Sequence, residues 1–350
     1  MLNALRLAVF MALAPLAAQA ADETRHLRLI GEMPPGRDDA PTQVILEIDL
    51  TPTGEAYQMR ADGWLAALAP EADGHGIDGA CVEARCVINA NLGYRQIAIT
   101  GDFAADTPPT EGRYVWDADN ENPLKGVIKL RVLTGDAPGL GAFAPVGAIG
   151  RNELSNLLAW AGLSPGFSND YEDGPPGDSE RTALSVWQGA NGRPGSGLLL
   201  AADIAALRAQ AQEQRNTLGW ENLKADGWTG GYPALMLTKI TTEPNGRRFS
   251  TPTGEAHAVF AFDPPMTEEA WDALVEARTA EREGRESRGY TRVNSDMEIN
   301  YVEGGSYVAE VYHRREKGVA RMVLTYPATE TENWATPEAV MVRNFRAEGD

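Results

Sequence analysis

The chain has 350 residues, and its 50 acidic residues outnumber 31 basic ones, which gives a formal net charge of −19 at pH 7. A chain this acidic repels phosphate backbones and anionic lipid surfaces, so its composition argues against a nucleic-acid partner. It is also longer than a single hydrophobic core usually supports, and we therefore expect two or three domains.

The first 20 residues have the three parts of a secretory signal. Arg6 precedes an apolar run from Leu7 to Leu16, and the segment Ala18–Ala20 supplies a small-x-small cleavage pattern. The apolar run is shorter than the roughly 20 residues that a membrane span needs, and no cysteine follows it for lipid attachment. We therefore predict residues 1–20 as a signal peptide. The mature protein is then periplasmic or secreted and has no membrane anchor after cleavage.

Residues 22–150 predict an all-β domain, either a sandwich or a barrel. Short alternating runs such as VILEIDL, CVINANL and GRYVWD are bounded by Gly, Pro, Asn or Asp, and no helical period intervenes. Cys81 and Cys86 are the only two cysteines. In an oxidising compartment such a close pair predicts a short-loop disulfide, whereas a structural zinc site needs four ligands.

The hexapeptide TPTGEA occurs twice, at Thr51–Ala56 and at Thr251–Ala256. In both places it lies between two strand-like runs, and Thr-Pro-Thr-Gly fits a type I turn whose Gly takes the left-handed position. A second repeated tetrad, ADGW, begins at Ala61 and Ala225 and so has a different offset from that of TPTGEA. In a true duplication, both repeated motifs would recur at the same offset along the chain. We interpret these repeats as reused turns or chance.

Residues 151–210 predict a small unit of three helices. In RNELSNLLAWAG the leucines recur at helical spacing, with Asn152 placed to cap the start and Gly162 to end the helix. ALSVWQGAN lies in the second helix, and LLAADIAALRAQAQEQR forms the third. The expected core residues are Val186, Trp187, Ile204 and Leu207. We predict a linker over residues 211–231.

The order of motifs in this unit resembles the peptidoglycan-binding domain of secreted cell-wall enzymes. An Asp173-Gly174 loop precedes RTALSVWQGAN, and a Ser-Gly-x-Leu turn then leads into the last helix. The matching residues are Arg181, Thr182, Ala183, Trp187, Gln188, Gly192, Gly197 and Leu198. The resemblance implies peptidoglycan as ligand, with Asp173, Arg181, Trp187 and Gln188 as candidate binding residues. Tryptophan side chains are nevertheless highly buried on average, which favours Trp187 as a core residue over an exposed platform that stacks on sugars.

The same loop offers a second interpretation, as a calcium site. Counted from Asn169, NDYEDGPPGDSE places Asp173 at position 5 and Glu180 at position 12 of a loop similar to an EF-hand. Tyr171 occupies position 3, however, where a carboxylate or an amide is needed. We therefore predict no metal site, and a calcium-stabilised scaffold is the weakest of the alternatives.

Residues 232–348 predict an α+β domain, an antiparallel sheet with helices. A helix begins near Thr267 in TEEAWDALVEARTAERE, several alternating strands follow it, and ATPEAVMVRNF forms a closing helix. The order of elements over residues 232–347 is similar to the PsbP-like α/β fold, with Asn344-Phe345 at the place where those domains have a Ser-Phe or similar pair. That resemblance implies interaction or assembly rather than catalysis.

The sequence contains no catalytic motif that we can identify. HExxH and G-x-S-x-G are absent, and the four histidines are scattered at His26, His75, His257 and His313. In SYVAEVYH, His313 shares a strand face with Tyr307, and we expect a satisfied strand residue rather than a catalytic base. Glu310 lies on the opposite face and receives no role.

These observations favour a non-catalytic exported envelope protein that needs no cofactor. Its expected partners are peptidoglycan or another envelope protein. The alternative is a cell-wall-active hydrolase whose carboxylates or His313 are assembled from distant segments, because a single sequence does not reveal a site built by the fold.

Overall fold

The computed structural model describes residues 24–33, 42–53, 58–68, 73–92, 95–105, 107, 109–116, 124–163 and 174–348. Contacts between residues divide the chain into two compact units, of which the first comprises Met1–Ala69 and His75–Thr134 and the second comprises Pro70–Gly74 and Gly135–Asp350. No helix among the described residues is long and apolar enough to cross a membrane.

The first unit is a closed barrel of eight strands that follow one another in sequence order. The strands are β1 (Arg25–Met33), β2 (Thr42–Pro52), β3 (Gln58–Ala67), β4 (Asp73–Val82), β5 (Arg85–Leu92), β6 (Arg95–Gly101), β7 (Glu111–Trp116) and β8 (Leu124–Val132). The barrel closes where β1 pairs antiparallel with β8, with Leu29 opposite Val132. The all-β prediction for the N-terminal part is confirmed, and its architecture is the barrel.

The period of two in the strand sequences explains the barrel interior. In VILEIDL every second residue, from Val44 to Leu50, is buried in one apolar cluster. Glycine makes room for large rings inside so narrow a barrel. A Cβ added at Gly126 would lie 2.4 Å from the hydroxyl of Tyr114, which is itself part of the core.

The predicted disulfide between Cys81 and Cys86 is present. The two cysteines face each other across the β4–β5 hairpin, with their Cα atoms 3.9 Å apart, and both are buried in the barrel core. The hairpin turn places Glu83 at a φ of 57°, a left-handed backbone that most non-glycine residues avoid. The disulfide therefore closes a tight hairpin whose turn is strained.

The second unit contains five α-helices among its described residues. They are α1 (Arg151–Trp160), α2 (Asp178–Ala190), α3 (Ala201–Leu218), α4 (Glu268–Thr279) and α5 (Thr331–Asn344). The expected cap at Asn152 is wrong, because α1 begins at Arg151 with Gly150 as its N-cap. Gly162 does follow the helix in a left-handed conformation, with a φ of 79°. The predicted start of α4 is confirmed, since the Thr267 side chain caps it.

The remaining strands of this unit form two antiparallel sheets. The strands are β9 (Trp220–Ala225), β10 (Trp228–Pro233), β11 (Lys239–Glu243), β12 (Gly246–Ser250), β13 (His257–Asp263), β14 (Arg285–Val293), β15 (Asp296–Glu303), β16 (Ser306–Arg315), β17 (Gly318–Pro327) and β18 (Arg346–Ala347). The smaller sheet has the order β18-β10-β9 and the larger has the order β11-β12-β13-β17-β16-β15-β14.

Residues 211–231, where the sequence predicted a linker, hold the end of α3, strand β9 and most of β10. The physical reason lies in the aromatic residues of this segment. Trp228 is buried in the core of the large sheet, and Trp220 packs edge-on against Trp160 of α1 with ring centroids 5.0 Å apart. A solvated linker would have to expose both rings.

Helix α5 contributes to two cores. Its residues Trp334 and Met341 pack on one face of the large sheet, whereas Ala339 and Val340 pack with α1, α2 and α3. Helix α4 covers the opposite face of that sheet through Trp271. Because α5 joins both cores, no break in packing marks the predicted boundary between the helical unit and the C-terminal part.

The second TPTGEA copy makes the predicted turn. The Gly254 amide donates to the Thr251 carbonyl at 3.1 Å, and Gly254 has a φ of 81°. Residues 54–56 of the first copy lie outside the described residues.

Candidate functional site

The candidate ligand residues of the helical unit lie inside it. Arg181, Trp187 and Gln188 all belong to α2, and each is buried, with Gln188 fully inaccessible to solvent. Asp173 lies outside the described residues. The predicted core residue Val186, by contrast, is 55% exposed, so that prediction is wrong. The buried side of α2 passes through Leu184 and Gln188, and Val186 points away from it.

Gln188 holds the turn before α3 against α2. Its Oε1 accepts from the Gly197 amide at 2.8 Å, and its Nε2 donates to the Leu198 carbonyl at 3.1 Å and to the Asp203 carboxylate at 2.6 Å. Asp203, in the first turn of α3, also forms an ion pair with Arg193. One carboxamide therefore satisfies two backbone groups of the turn, and its geometry is that of a structural residue.

Trp187 and Arg181 are also engaged within the unit. The indole Nε1 of Trp187 donates to Gln210 at 2.9 Å, and the Arg193 guanidinium lies 5.4 Å from the centre of the indole. Arg181 reaches the Gly197 carbonyl at 3.5 Å. The expectation that Trp187 belongs to the core is confirmed, because it is one of the buried residues of the helical core.

Glu180, the other calcium candidate, caps α2. Its Oε2 accepts from the Gly177 amide at 2.9 Å, and its Oε1 accepts from the Ser155 hydroxyl at the same distance. Arg151 lies 3.8 Å from this carboxylate. Within the part of the chain that the structure describes, no group of three or more His, Cys, Asp or Glu side chains is arranged to hold a metal ion.

The large sheet carries a buried carboxylate on the face that α4 covers. Glu310 accepts hydrogen bonds from the hydroxyls of Tyr301 and Tyr312 at 2.7 and 2.6 Å, and from Arg278 of α4 at 3.3 Å. Burial and the Glu310 carboxylate raise the pKa of Tyr301 to about 12 and also raise that of Tyr312. Both phenols therefore stay protonated as donors, and Glu310 joins α4 to β15 and β16.

The opposite face carries a second buried ion pair. His313 is fully buried, and its Nδ1 lies 3.1 Å from the Asp296 carboxylate while its Nε2 lies 3.2 Å from the Phe345 carbonyl. Arg315 donates to the same carboxylate at 2.6 Å. Burial raises the pKa of Asp296, but hydrogen bonds from His313 and Arg315 outweigh burial and hold it below its usual range. His313 is therefore a buried strand residue whose Nε2 contacts a backbone carbonyl, in line with the expected structural role.

A third network lies under α5, nearer to solvent, and we call Glu298, Asn300, Tyr307, Tyr326 and Glu338 the α5 cluster. The Tyr326 hydroxyl donates to Glu338, and Tyr326 stacks between Tyr307 and Trp334 at centroid distances of 5.0 and 5.3 Å. Asn300 donates to Glu298 at 3.0 Å. Glu298 and Glu338 are each only partly buried.

Burial is the main cause that raises the pKa of both carboxyls of the α5 cluster. Hydrogen bonds from Tyr326 and Tyr307 to Glu338, and from Asn300 to Glu298, act in the opposite direction without cancelling it. The negative charge of Glu298 raises the pKa of Glu338 further. A raised pKa favours the protonated form of a carboxyl group, which is the form that a general acid requires.

Sequence reasoning did not find these networks, because their members come from separate elements. Period-two alternation does place Glu298 and Asn300 on one face of β15 and Tyr307 on one face of β16. Only the strand register brings them near each other, and only the docking of α5 adds Glu338. The sequence signal that could have indicated these networks was the presence of polar residues at alternate positions of strands that are otherwise apolar.

No family model matches this chain, and no curated protein matches it either.

Proposed function

We propose that this chain is an exported, non-catalytic cell-envelope protein whose second unit associates with peptidoglycan or with another envelope protein. The observation that carries the proposal is the order of helix, loop, helix, Ser-Gly turn and helix in the second unit, in which Gln188 holds the turn to α2. The similarity of the C-terminal part to the PsbP-like fold also favours interaction over chemistry. Similarity of fold does not by itself carry function, so binding has to be tested directly.

Export is supported by the signal-like first 20 residues together with the buried disulfide. Disulfides persist outside the cytoplasm, where thiols are not kept reduced. Alkylation of free thiols in intact cells, followed by fractionation, tests this half of the proposal. The protein should be found outside the cytoplasm with Cys81 and Cys86 protected from alkylation. A cytoplasmic protein with two reactive thiols would refute export.

The candidate binding residues Arg181, Trp187 and Gln188 are buried. We therefore place the proposed ligand contact on the exposed side of α2. Thr182, Val186 and Gly189 are exposed there at helical spacing, and Val186 is among the most exposed large apolar residues in the described chain. Apolar and small side chains on such a stripe suit contact with sugar rings or with a protein surface. This stripe is one part of the helical unit that a wall polymer can reach.

Co-sedimentation of the full mature chain with purified sacculi, over a series of salt concentrations, tests the binding half. Val186→Glu should reduce the bound fraction, because a charge replaces the apolar centre of the stripe. Val146→Glu is the matched control, since Val146 is 69% exposed in the same unit but lies outside α2. Point variants are preferable to deletion of residues 151–210, which would remove part of the core shared with α5. If the wild-type chain does not bind sacculi, association with the wall is refuted. The remaining form of the proposal is then association with another envelope protein.

A second candidate function is a cell-wall hydrolase, and the α5 cluster favours it. Glu338 and Glu298 are two partly buried carboxyls with raised pKa values beside two tyrosines, and paired carboxyls are the usual means of glycoside hydrolysis. Release of soluble muropeptides from sacculi, lost in Glu338→Gln, would support it. Absence of release, beside an active known hydrolase, would refute it while leaving the binding proposal intact.

A further inference from the structure

The large sheet ends in two edge strands of different character. The edge strand β14 has a shift of register between Ser287 and Gly289 and carries charged side chains along its length. A bulge and charges of this kind keep other strands from pairing with a sheet edge. The opposite edge strand, β11, has the sequence KITTE and pairs with β12 in unbroken register. Its first four residues are exposed, and its two charges lie only at its ends.

The hydrogen bonds of β12 determine which backbone groups of β11 face outwards. The Asn245 carbonyl, next to β12, accepts from the Phe262 amide on β13 at 2.9 Å. Because backbone groups alternate in direction along a strand, the odd-numbered residues of β12 point towards β13 and the even-numbered residues point towards β11. Each even-numbered residue of β12 lies opposite an odd-numbered residue of β11. The N–H and C=O groups of Ile240 and Thr242 therefore point to the open side of the sheet.

We propose that two copies of this chain pair through β11, antiparallel and with Thr241 on the two-fold axis, so that their large sheets join into one. In this register Ile240 lies opposite Thr242 of the second copy, and the outward backbone groups meet as hydrogen-bonded pairs. Lys239 lies opposite Glu243 of the second copy, and the symmetry repeats this pair at the other end of the strand. The strand is thus complementary to itself in charge as well as in hydrogen bonding.

Charge selects this register over its neighbours. A shift by one residue places outward backbone groups opposite inward ones, and a shift by two residues removes both Lys–Glu pairs. The formal net charge of −19 makes two copies repel each other, so opposite charges at the contact matter for specificity. Lys239 also donates to the Pro252 carbonyl, and an ammonium group has two further donors for the carboxylate of the second copy.

The pairing also covers an apolar side chain. Ile240 is 57% exposed, although it lies opposite the buried Phe249 of β12 and so belongs to the same face of the sheet. In the paired strands it lies diagonal to Ile240 of the second copy, a distance at which long side chains interact. Five residues a side bury less than the roughly 1,200 Å² of a stable interface, so we expect a weak dimer that depends on concentration.

Sedimentation velocity of the full mature chain over a series of concentrations measures the dissociation constant of the dimer. Lys239→Glu and Glu243→Lys should each raise it about tenfold or more, because each variant turns both Lys–Glu pairs into like-charge pairs. The two variants change the net charge in opposite directions, so a shared effect does not come from net charge. The double variant Lys239→Glu/Glu243→Lys restores opposite charges and should dimerise like the wild type. Glu286→Lys, at an exposed position of β14, is the matched control and should leave the constant unchanged.

Hydrogen exchange of the wild-type chain locates the contact without any variant. The amides of Ile240 and Thr242 should gain protection as the concentration rises, whereas the Thr241 amide, which points towards β12, serves as the internal reference. A chain that stays monomeric at every concentration would overturn the proposal, and so would a dimer that leaves these two amides unprotected. A dimer that the single variants do not weaken, or that the double variant does not restore, would also overturn it. None of these results depends on binding to sacculi, so the dimer is tested separately from the proposed function.

Discussion

Replacement of Gln188 by alanine distinguishes a structural role from a ligand-binding role for this residue. The substitution removes the donor to the Leu198 carbonyl and the acceptor of the Gly197 amide, and both backbone groups are buried. A buried polar group left without a partner costs about 1–3 kcal/mol. Two such groups predict a loss of about 2–6 kcal/mol in the free energy of unfolding of the second unit.

Urea unfolding followed by tryptophan fluorescence gives this free energy, and hydrogen exchange over α2 and α3 locates the loss. Gln212→Ala is the matched control, because Gln212 is exposed on α3 and its side chain bonds that of Asn216, also exposed, at 3.1 Å. We expect the control to change stability by less than about 0.5 kcal/mol. If Gln188→Ala also stays within that limit but abolishes binding to sacculi, the structural interpretation is refuted and Gln188 contacts ligand.

Three further predictions concern stability. Burial raises the pKa of Glu338 above its ordinary value of 4.5, so its contribution to stability is full below that value and is lost as the pH rises through the folded-state pKa. As the pH rises, the free energy of unfolding of Glu338→Gln should therefore increase relative to that of the wild type, by at most about 1.4 kcal/mol per pH unit. Urea unfolding of both proteins at several pH values measures this difference, and a difference that does not change with pH would contradict the prediction. Replacement of Cys81 and Cys86 by serine should lower the unfolding free energy of the barrel by about 2 kcal/mol, the loop-closure value for a sequence separation of 5, and an unchanged urea midpoint would contradict it. Glu83→Gly should raise barrel stability by about 0.5–1 kcal/mol, because glycine tolerates the φ of 57° there, and a lower thermal midpoint would count against strain in this turn.

The elements themselves could be predicted wherever a local period or cap was strong. Alternation in VILEIDL predicted a strand, and Thr267 predicted the start of α4. The predictions failed at Asn152 and Val186, where helical spacing was correct but the choice of cap and of buried side was not. A short helix with apolar residues on more than one side does not specify which side its neighbours will cover.

The candidate site could be predicted only in part. The face shared by Tyr307 and His313 was recognised from the strand pattern, and His313 is buried there with Nε2 at the Phe345 carbonyl. Its partners Asp296 and Phe345 were not recognised, because Asp296 reaches it through strand register and Phe345 through the docking of α5. Glu310 remained without a role for the same reason.

The sequence by itself determined the all-β character of the first unit, the disulfide, the helices of the second unit and the turn at the second TPTGEA copy. These features depend on interactions between residues that are close along the chain, and periodicity and turn chemistry report such interactions directly. The tertiary structure alone decided that α5 joins two cores, that Gln188 is buried, and that Glu310, His313 and Glu338 each acquire their partners. Those contacts depend on strand register and helix docking, which are set by the packing of the whole unit and are not written in any one segment.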